Sequence, residues 1–237
     1  MTRRRWIADE VSATHAAIIG DHADHLIRVL RARVGQEFDI ATGTALRRGR
    51  VVTIKDDRVE FELGEEVPAT PTPALTLLLA IFKFDRMEWA IEKCTELGIS
   101  RIVPTIARRT DAHLASAAPK RVERWRRIAL QAAEQSRRAA PPEIASPIKL
   151  QDALSLTGAL RIVLAESEQQ ILLRDVLTSH EEGEVILAIG PEGGWAKDEL
   201  HFFQKAGWIS TSLGSTILRA ETAAVAATAI TISQLTG

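Results

Sequence analysis

Val185-Ile186-Leu187-Ala188-Ile189-Gly190-Pro191-Glu192-Gly193-Gly194-Trp195 joins an unbroken apolar run to a loop of three glycines and a proline. A short run without polar alternation reads as a strand covered on both faces, the pattern of a parallel sheet between helical layers. Similar runs occur at Leu75 to Phe82, Arg101 to Ile106, Arg161 to Ala165 and Ile209 to Leu213, with helical stretches between them. From Ala74 onward the chain is therefore expected to be an α/β domain. In the first intervening helix, Asp85 and Glu88 are spaced as a capping box. Met87, Ile91, Cys94 and Leu97 form its apolar stripe and Gly98 ends it.

Upstream the texture differs. Asp21 to Arg33 reads as an amphipathic basic helix, with Leu26, Val29, Leu30 and Val34 at helical spacing and Arg28, Arg31 and Arg33 outside. Short alternating runs follow, at Glu37 to Ala41, Arg50 to Ile54 and Arg58 to Leu63, which predict a small β-domain. Pro68-Ala69-Thr70-Pro71-Thr72-Pro73 can continue neither a ladder nor a helix. The expected division is 1–70 and 74–237.

Hydrophobic residues make up 46% of the 237, enough for a substantial core. No apolar run reaches the ~20 residues of a membrane span, and no signal-peptide pattern follows Met1, so a soluble cytoplasmic protein is the default. Cys94 is the only cysteine, which excludes an internal disulfide and a thiolate zinc cluster. It falls on the core face of its helix, where a structural role is expected. The net charge of -1 conceals segregation. Residues 1–55 hold ten basic and six acidic residues, a net +4, and residues 101–140 hold ten and three, a net +7. Residues 56–100 hold four and ten, and 141–237 six and twelve, each a net -6. Such separation is an electrostatic footprint for a polyanion, or else a set of solvated helix faces.

Ligands of open parallel sheets bind beyond the carboxyl ends of the strands. The loop from Ile189 to Trp195 has neither the Lys-Ser/Thr of a phosphate loop nor the glycine spacing of a dinucleotide fingerprint. It could hold a nucleoside by backbone groups, or be a tight turn. A second loop, Leu213 to Ala223, carries Arg219 and Glu221 at an apolar junction, where charges are costly unless paired or bound. The helix from Thr222 to Gln234 has no charged side chain, which suits burial in its own domain and against a second copy. Pro119 to Arg138 places Val122, Trp125, Ala129 and Ala132 on one stripe with arginines outside, followed by Gln135, Arg137 and Arg138, a pattern that suits RNA contact. His22 and His25 share a helix face, but nothing completes a metal shell and no metal is expected.

Together these segments resemble the RsmE-type family of small-subunit ribosomal RNA uridine-N3 methyltransferases, in the knotted SPOUT superfamily. The match includes Arg4-Arg5, His25-Leu26 with Val29-Leu30-Arg31, and Lys83 with Asp85-Arg86 leading to Lys93 and Thr95-Glu96-Leu97-Gly98. It continues through Arg124-Trp125, Glu134-Gln135-Ser136 and Arg138, then Ile189 to Gly194, and ends in Leu213-Gly214, Ile217-Leu218-Arg219 and Glu221-Thr222-Ala223. The pairing of Gly-Pro-Glu-Gly-Gly with Ile-Leu-Arg-x-Glu-Thr-Ala is its most specific part. Ala107-Arg108-Arg109-Thr110 departs locally, since related sequences often carry an acidic residue before the arginine.

The resemblance implies an N-terminal PUA-like β-barrel that binds RNA and a C-terminal trefoil-knot domain, a topology the residue patterns do not predict. It implies S-adenosylmethionine as cofactor, ribosomal RNA or the small ribosomal subunit as partner, and a homodimer. By the same carry-over, Leu164, Ile189, Gly190, Glu192 and Gly193 line the cofactor pocket, with Leu213, Gly214, Ile217, Leu218 and Arg219 from the second loop. Candidate RNA contacts are Arg28 and Arg31, Gln135, Arg137 and Arg138, and the family-matched Arg4, Arg5, Lys83 and Arg86. The implied reaction is attack of a uridine imide nitrogen on a sulfonium methyl, helped by proximity, a base and a cation. Glu221 as base and Arg219 as stabiliser are the catalytic candidates, against a purely structural ion pair. Two alternatives stand beside this reading: a SPOUT enzyme acting on a ribose 2′-hydroxyl or another base, and a catalytically silent RNA-binding assembly factor.

Overall fold

The computed structural model describes residues 5–43, 45–68, 72–180 and 182–236. The chain forms two compact units, Met1–Pro71 with Ala133–Pro141, and Thr72–Ala132 with Pro142–Gly237.

In the first unit, β1 (Arg5–Ile7), β2 (Glu10–Val11), β3 (His15–Ile19), β4 (Glu37–Ala41), β5 (Leu46–Lys55) and β6 (Arg58–Glu66) form one sheet in the order β1-β4-β5-β6-β3-β2. Only the β1–β4 pair is parallel. Alternate residues face a core of Ile18, Phe38, Ile40, Val59 and Phe61, with Leu26 packed among them. The expected helix from Asp21 to Arg33 is corrected. The α-helix α1 covers only Asp21–Asp24, and His25–Val29 winds as a π-helix in which the Leu30 N–H reaches the His25 carbonyl at 3.0 Å. Wider winding shifts the side-chain phase, so Val29 stands 64% exposed instead of joining Leu26 in the core, and Val34, 65% exposed, lies beyond the end of the helical segment. Arg31, at φ 51, ends the segment.

The second unit alternates strands and helices: β7 (Leu75–Ala80), α2 (Phe84–Leu97), β8 (Arg101–Ile106), α3 (Ala112–Ala117) and α4 (Val122–Gln135), whose last residues fall in the first unit. There follow β9 (Glu143–Ile144), β10 (Ile148–Lys149), α5 (Leu150–Ala153), β11 (Leu160–Leu164) and α6 (Leu173–Thr178), then β12 (Val185–Ile189), α7 (Lys197–Lys205), β13 (Ile209–Thr211) and α8 (Ala220–Leu235). Every strand pair is parallel, in the order β10-β8-β7-β12-β11-β13, with β9 also on β8. The expected α/β sheet is present, and each of the five apolar runs supplies a strand. Leu75, Leu77 and Leu79 pack one face against Met87, Ile91, Trp125 and Ala224. Leu78, Ala80 and Ile186 pack the other against Leu150, Phe203 and Trp208. Both faces are covered, as the absence of alternation required.

The start of α2 is a second correction. Lys83 holds the N-cap position without a side-chain cap, and Glu88 instead accepts from Arg124 at 2.8 Å, with Arg121 at 3.7 Å. At the other end Gly98 adopts φ 107, the left-handed stop that a side chain would strain. No helix among the described residues is long and apolar enough to cross a membrane.

Candidate active site

Because β11 lies between β12 and β13 and all three run parallel, their carboxyl ends lie at one sheet edge. Leu164, Ile189 and the segment after Thr211 are thereby brought together, which places Leu213 to Arg219 and Gly190 to Gly193 in neighbouring loops. Ile189 is buried, whereas Glu192, Gly193, Gly214, Ile217 and Arg219 are exposed, and Leu164, Gly190, Leu213 and Leu218 are half-buried. The apolar side chain of Ile217 is 78% exposed.

The glycine loop is anchored on three sides. Trp195 donates its indole N–H to the Leu164 carbonyl at 3.0 Å, and a Cβ on Gly190 would stand 3.3 Å from that indole ring. Arg109 donates to the Gly193 carbonyl. The buried Glu199 carboxylate accepts from the backbone N–H of Ala196 at 2.8 Å and of Arg108 at 2.7 Å, tying the loop to the segment after β8. Sequence reasoning did not single out Trp195, Arg109 or Glu199 as supports. Apart from the local Glu199–Ala196 contact, their partners are 31 to 91 residues away, beyond the reach of a local pattern.

Arg86 of α2 links the two loops. Its guanidinium donates to Glu192 at 2.8 Å and lies 3.8 Å from Glu221 Oε1, in the first turn of α8. Glu221 is only 8% exposed and its Oε2 has no hydrogen-bond partner; the buried hydroxyl of Thr211 at the end of β13 has none either. Unsatisfied buried acceptors are costly and suit a site completed by a ligand. Asp85, Arg86, Trp89, Arg219, Glu221 and Thr222 line a cavity of about 540 Å³. Lys83 is exposed at the start of α2.

Cys94 is fully buried in this unit, receives a hydrogen bond from Thr228 at 3.4 Å, and has its thiol pushed up to about 12 by burial. It is no nucleophile.

The remaining RNA candidates lie in the first unit. Arg28 is 77% exposed and 3.3 Å from Asp24, and Arg31 is exposed. Arg5 donates to the carbonyl of Arg137, an exposed residue held at φ 59. Gln135 is exposed and Arg138 is half-buried, its guanidinium lowered to about 10 by desolvation. Arg4 lies outside the described residues. His22 sits 3.0 Å from Glu134, and its ring lies 6.2 Å from that of Trp6. No group of three metal-ligating side chains occurs among the described residues.

Loops at the carboxyl ends of parallel strands are where open α/β sheets bind their ligands, and both loops lie there. Residues 69–232 match the RNA methyltransferase domain family. A ribosomal RNA small subunit methyltransferase E from Rickettsia conorii is 34% identical over 218 residues, covering 90% of this chain and 87% of the relative. The crystal structure of a ribosomal RNA small subunit methyltransferase E from Neisseria gonorrhoeae, bound to S-adenosyl methionine, aligns with a TM-score of 0.83 and 28% identity over 96% of each chain. A Legionella pneumophila chain solved in complex with S-adenosylmethionine aligns with a TM-score of 0.83 and 25% identity over 98% of each. The chain belongs to the family of RsmE-type ribosomal RNA small subunit methyltransferases.

Proposed function

We propose that this protein methylates N3 of a specific uridine in 16S ribosomal RNA of the small subunit, with S-adenosylmethionine as methyl donor, in the cytoplasm. The presence of the Gly190–Gly193 and Leu213–Arg219 loops at the carboxyl ends of parallel strands in one sheet carries this reading, since ligands of such sheets bind there. The residues present fit the cofactor. Leu164, Ile189, Leu213, Ile217 and Leu218 offer apolar surface, and Gly190, Gly193 and Gly214 allow close backbone approach. Glu192 and Arg219 offer polar ends.

The bound cofactor supplies a sulfonium methyl, whose carbon–sulfur bond breaks as the bond to uridine N3 forms. Glu221 would take the imide proton on its carboxylate, which Arg86 beside Oε1 keeps oriented. Arg219, on the same cavity, would stabilise negative charge developing on the uracil carbonyls. Proximity and alignment of the two reactants would supply much of the remaining acceleration.

The finer architecture belongs to the same proposal. The second unit would be a SPOUT trefoil knot, supported by β13 pairing with β11, which makes the chain leaving β12 cross β11 to regain the sheet. The first unit would be a PUA-like RNA-binding barrel, supported by its mostly antiparallel six-stranded sheet and the arginines at 5, 28, 31, 137 and 138. The active form would be a homodimer. Calorimetric titration with S-adenosylmethionine and mass spectrometry of 16S rRNA nucleosides, with and without the protein, test the activity. Stoichiometric cofactor binding with a new N3-methyluridine is expected. Absence of binding would leave a silent RNA-binding factor, and a methylated ribose would reassign the acceptor.

A further inference from the structure

Trp89 is 45% exposed, although it sits in the middle of α2. Its helix already has a complete apolar face in Met87, Ala90, Ile91 and Cys94, so Trp89 is on the polar side and serves no core. Arg86 lies three residues earlier, one turn away on the same face. Both line the cavity that contains Arg219 and the buried Glu221 carboxylate. An exposed indole costs solvation unless a flat partner covers it, and indole faces are strong platforms for nucleobases.

The charged groups beside it indicate which base. A uracil imide edge presents carbonyl, N–H and carbonyl in a row. The cavity is lined by the Arg86 guanidinium, the Glu221 carboxylate and the Arg219 guanidinium, with Arg86 3.8 Å from Glu221 Oε1. Two cationic donors and a carboxylate acceptor supply the hydrogen-bonding types that this edge needs, whereas cytosine, with an amino group and a bare ring nitrogen, would lack the second carbonyl for a donor and the N–H for the acceptor. Arg86 also donates to Glu192, which ties it to the glycine loop.

We propose that Trp89 is the stacking platform for the acceptor base, holding its imide edge toward Arg86, Glu221 and Arg219 in the same cavity. This rests on the reading of the site given above and adds a contact residue and a basis for uracil selection. Glu221 and Arg219 act on the edge of the ring, and Trp89 fixes its plane.

The experiment compares Trp89→Ala, Trp89→Leu and Trp89→Phe in the full-length protein, using small ribosomal subunits with unmethylated 16S rRNA. Trp89→Ala and Trp89→Leu should lower kcat/KM on the order of 10- to 100-fold, the range expected for one lost base stack. Trp89→Phe should stay within about threefold of the wild type, because a smaller aromatic face still stacks. Cofactor affinity and sedimentation should be unchanged in all three. Leu performing as well as Phe would mean that only apolar bulk is needed, and dissociation of a dimer by Trp89→Ala would place the indole at a subunit contact; either overturns the proposal. Quenching of tryptophan fluorescence by oligouridylate provides a readout independent of methylation. Quenching that weakens in Trp89→Phe supports the stack even in a protein that transfers no methyl group, and identical quenching in wild type and variant overturns it.

Discussion

Trp195 donates its indole N–H to the main-chain carbonyl of Leu164 at 3.0 Å, fastening the glycine loop after β12 to the end of β11. Trp195 itself is 7% exposed and packs edge-on against Phe203, so its position is fixed by core and hydrogen bond together. Replacing it with Phe preserves the aromatic packing but leaves the Leu164 carbonyl without this donor. A loss of about 1 kcal/mol in stability is expected from a missing buried hydrogen bond. Cofactor affinity should fall by more than that stability change alone explains, because the loop loses its attachment to the neighbouring strand. Urea denaturation and calorimetry measure the two effects separately.

The three glycines of this loop predict different outcomes. A Cβ on Gly190 would press on the Trp195 ring at 3.3 Å and make that ring yield, and Gly194 has a φ of 68 that side chains rarely adopt. Gly193 is different, since its Cβ would meet the flexible Arg109 side chain at 3.4 Å and otherwise face open space. Gly193→Val should therefore fold with little change in Tm and still lose cofactor binding, because the new side chain intrudes where the ligand approaches. Unchanged affinity by calorimetry would remove Gly193 from the pocket.

How legible the site was depended on distance along the chain. The five apolar runs revealed the sheet because two-sided burial leaves a mark within five or six residues. The glycine loop and the Arg219–Glu221 junction were visible for the same reason, as local anomalies of composition. By contrast, Asp85 and Glu88 have the spacing of a capping box, but Glu88 is drawn to Arg121 and Arg124 across the fold. The segment after Asp21 departs from the helical expectation because a π-turn over His25–Val29 changes the period of its side chains. Trp89 left a faint local signal, an aromatic on the polar face of an amphipathic helix, and its meaning emerges only with Glu221 brought beside it from 132 positions away.

Burial of Cys94 gives a pH-dependent stability with a definite sign. Its thiol is raised from 9.0 to about 12 by desolvation, so the unfolded chain releases this proton first as pH rises. The contribution is fully present below pH 9 and is lost between pH 9 and about 12, at no more than about 1.4 kcal/mol per pH unit. Cys94→Ala should flatten that part of the stability curve measured by urea denaturation. Iodoacetamide at pH 8 should label the unfolded protein and spare the native one.

RNA affinity should separate the two adjacent arginines of the first unit. Arg137 is exposed, whereas Arg138 is half-buried with its guanidinium pKa depressed by desolvation. Arg137→Ala should weaken rRNA binding and reduce the slope of log K against log salt by about 1, the signature of one lost phosphate contact. Arg138→Ala should lower Tm as well, since a partly buried side chain is removed. An unaltered slope in Arg137→Ala would mean that this residue does not touch phosphate.

The last expectation concerns α8, where burial and composition disagree about how much surface one subunit covers. Ala220, Glu221, Ala224, Ala227, Thr228 and Thr231 are buried, which accounts for one side of the helix. Thr222, Ala226, Ile230 and Ser233 follow one another at one-turn spacing on another side, and all are exposed or half-buried. Beyond Glu221 the helix contains no charged residue, although a surface helix normally carries a charged stripe. Small residues also allow a second helix to come close, so an isologous dimer across this face would explain both the missing charges and the exposed Ile230, at 37%. Ala226→Arg would place an unpaired cation in that contact and should shift the protein to monomer. Methylation should fall with it if each site is completed beside the partner. Sedimentation at micromolar concentration, measured alongside activity, decides the matter. A wild-type monomer with full activity would refute the assembly, and a dimer that survives Ala226→Arg would move the contact to another face.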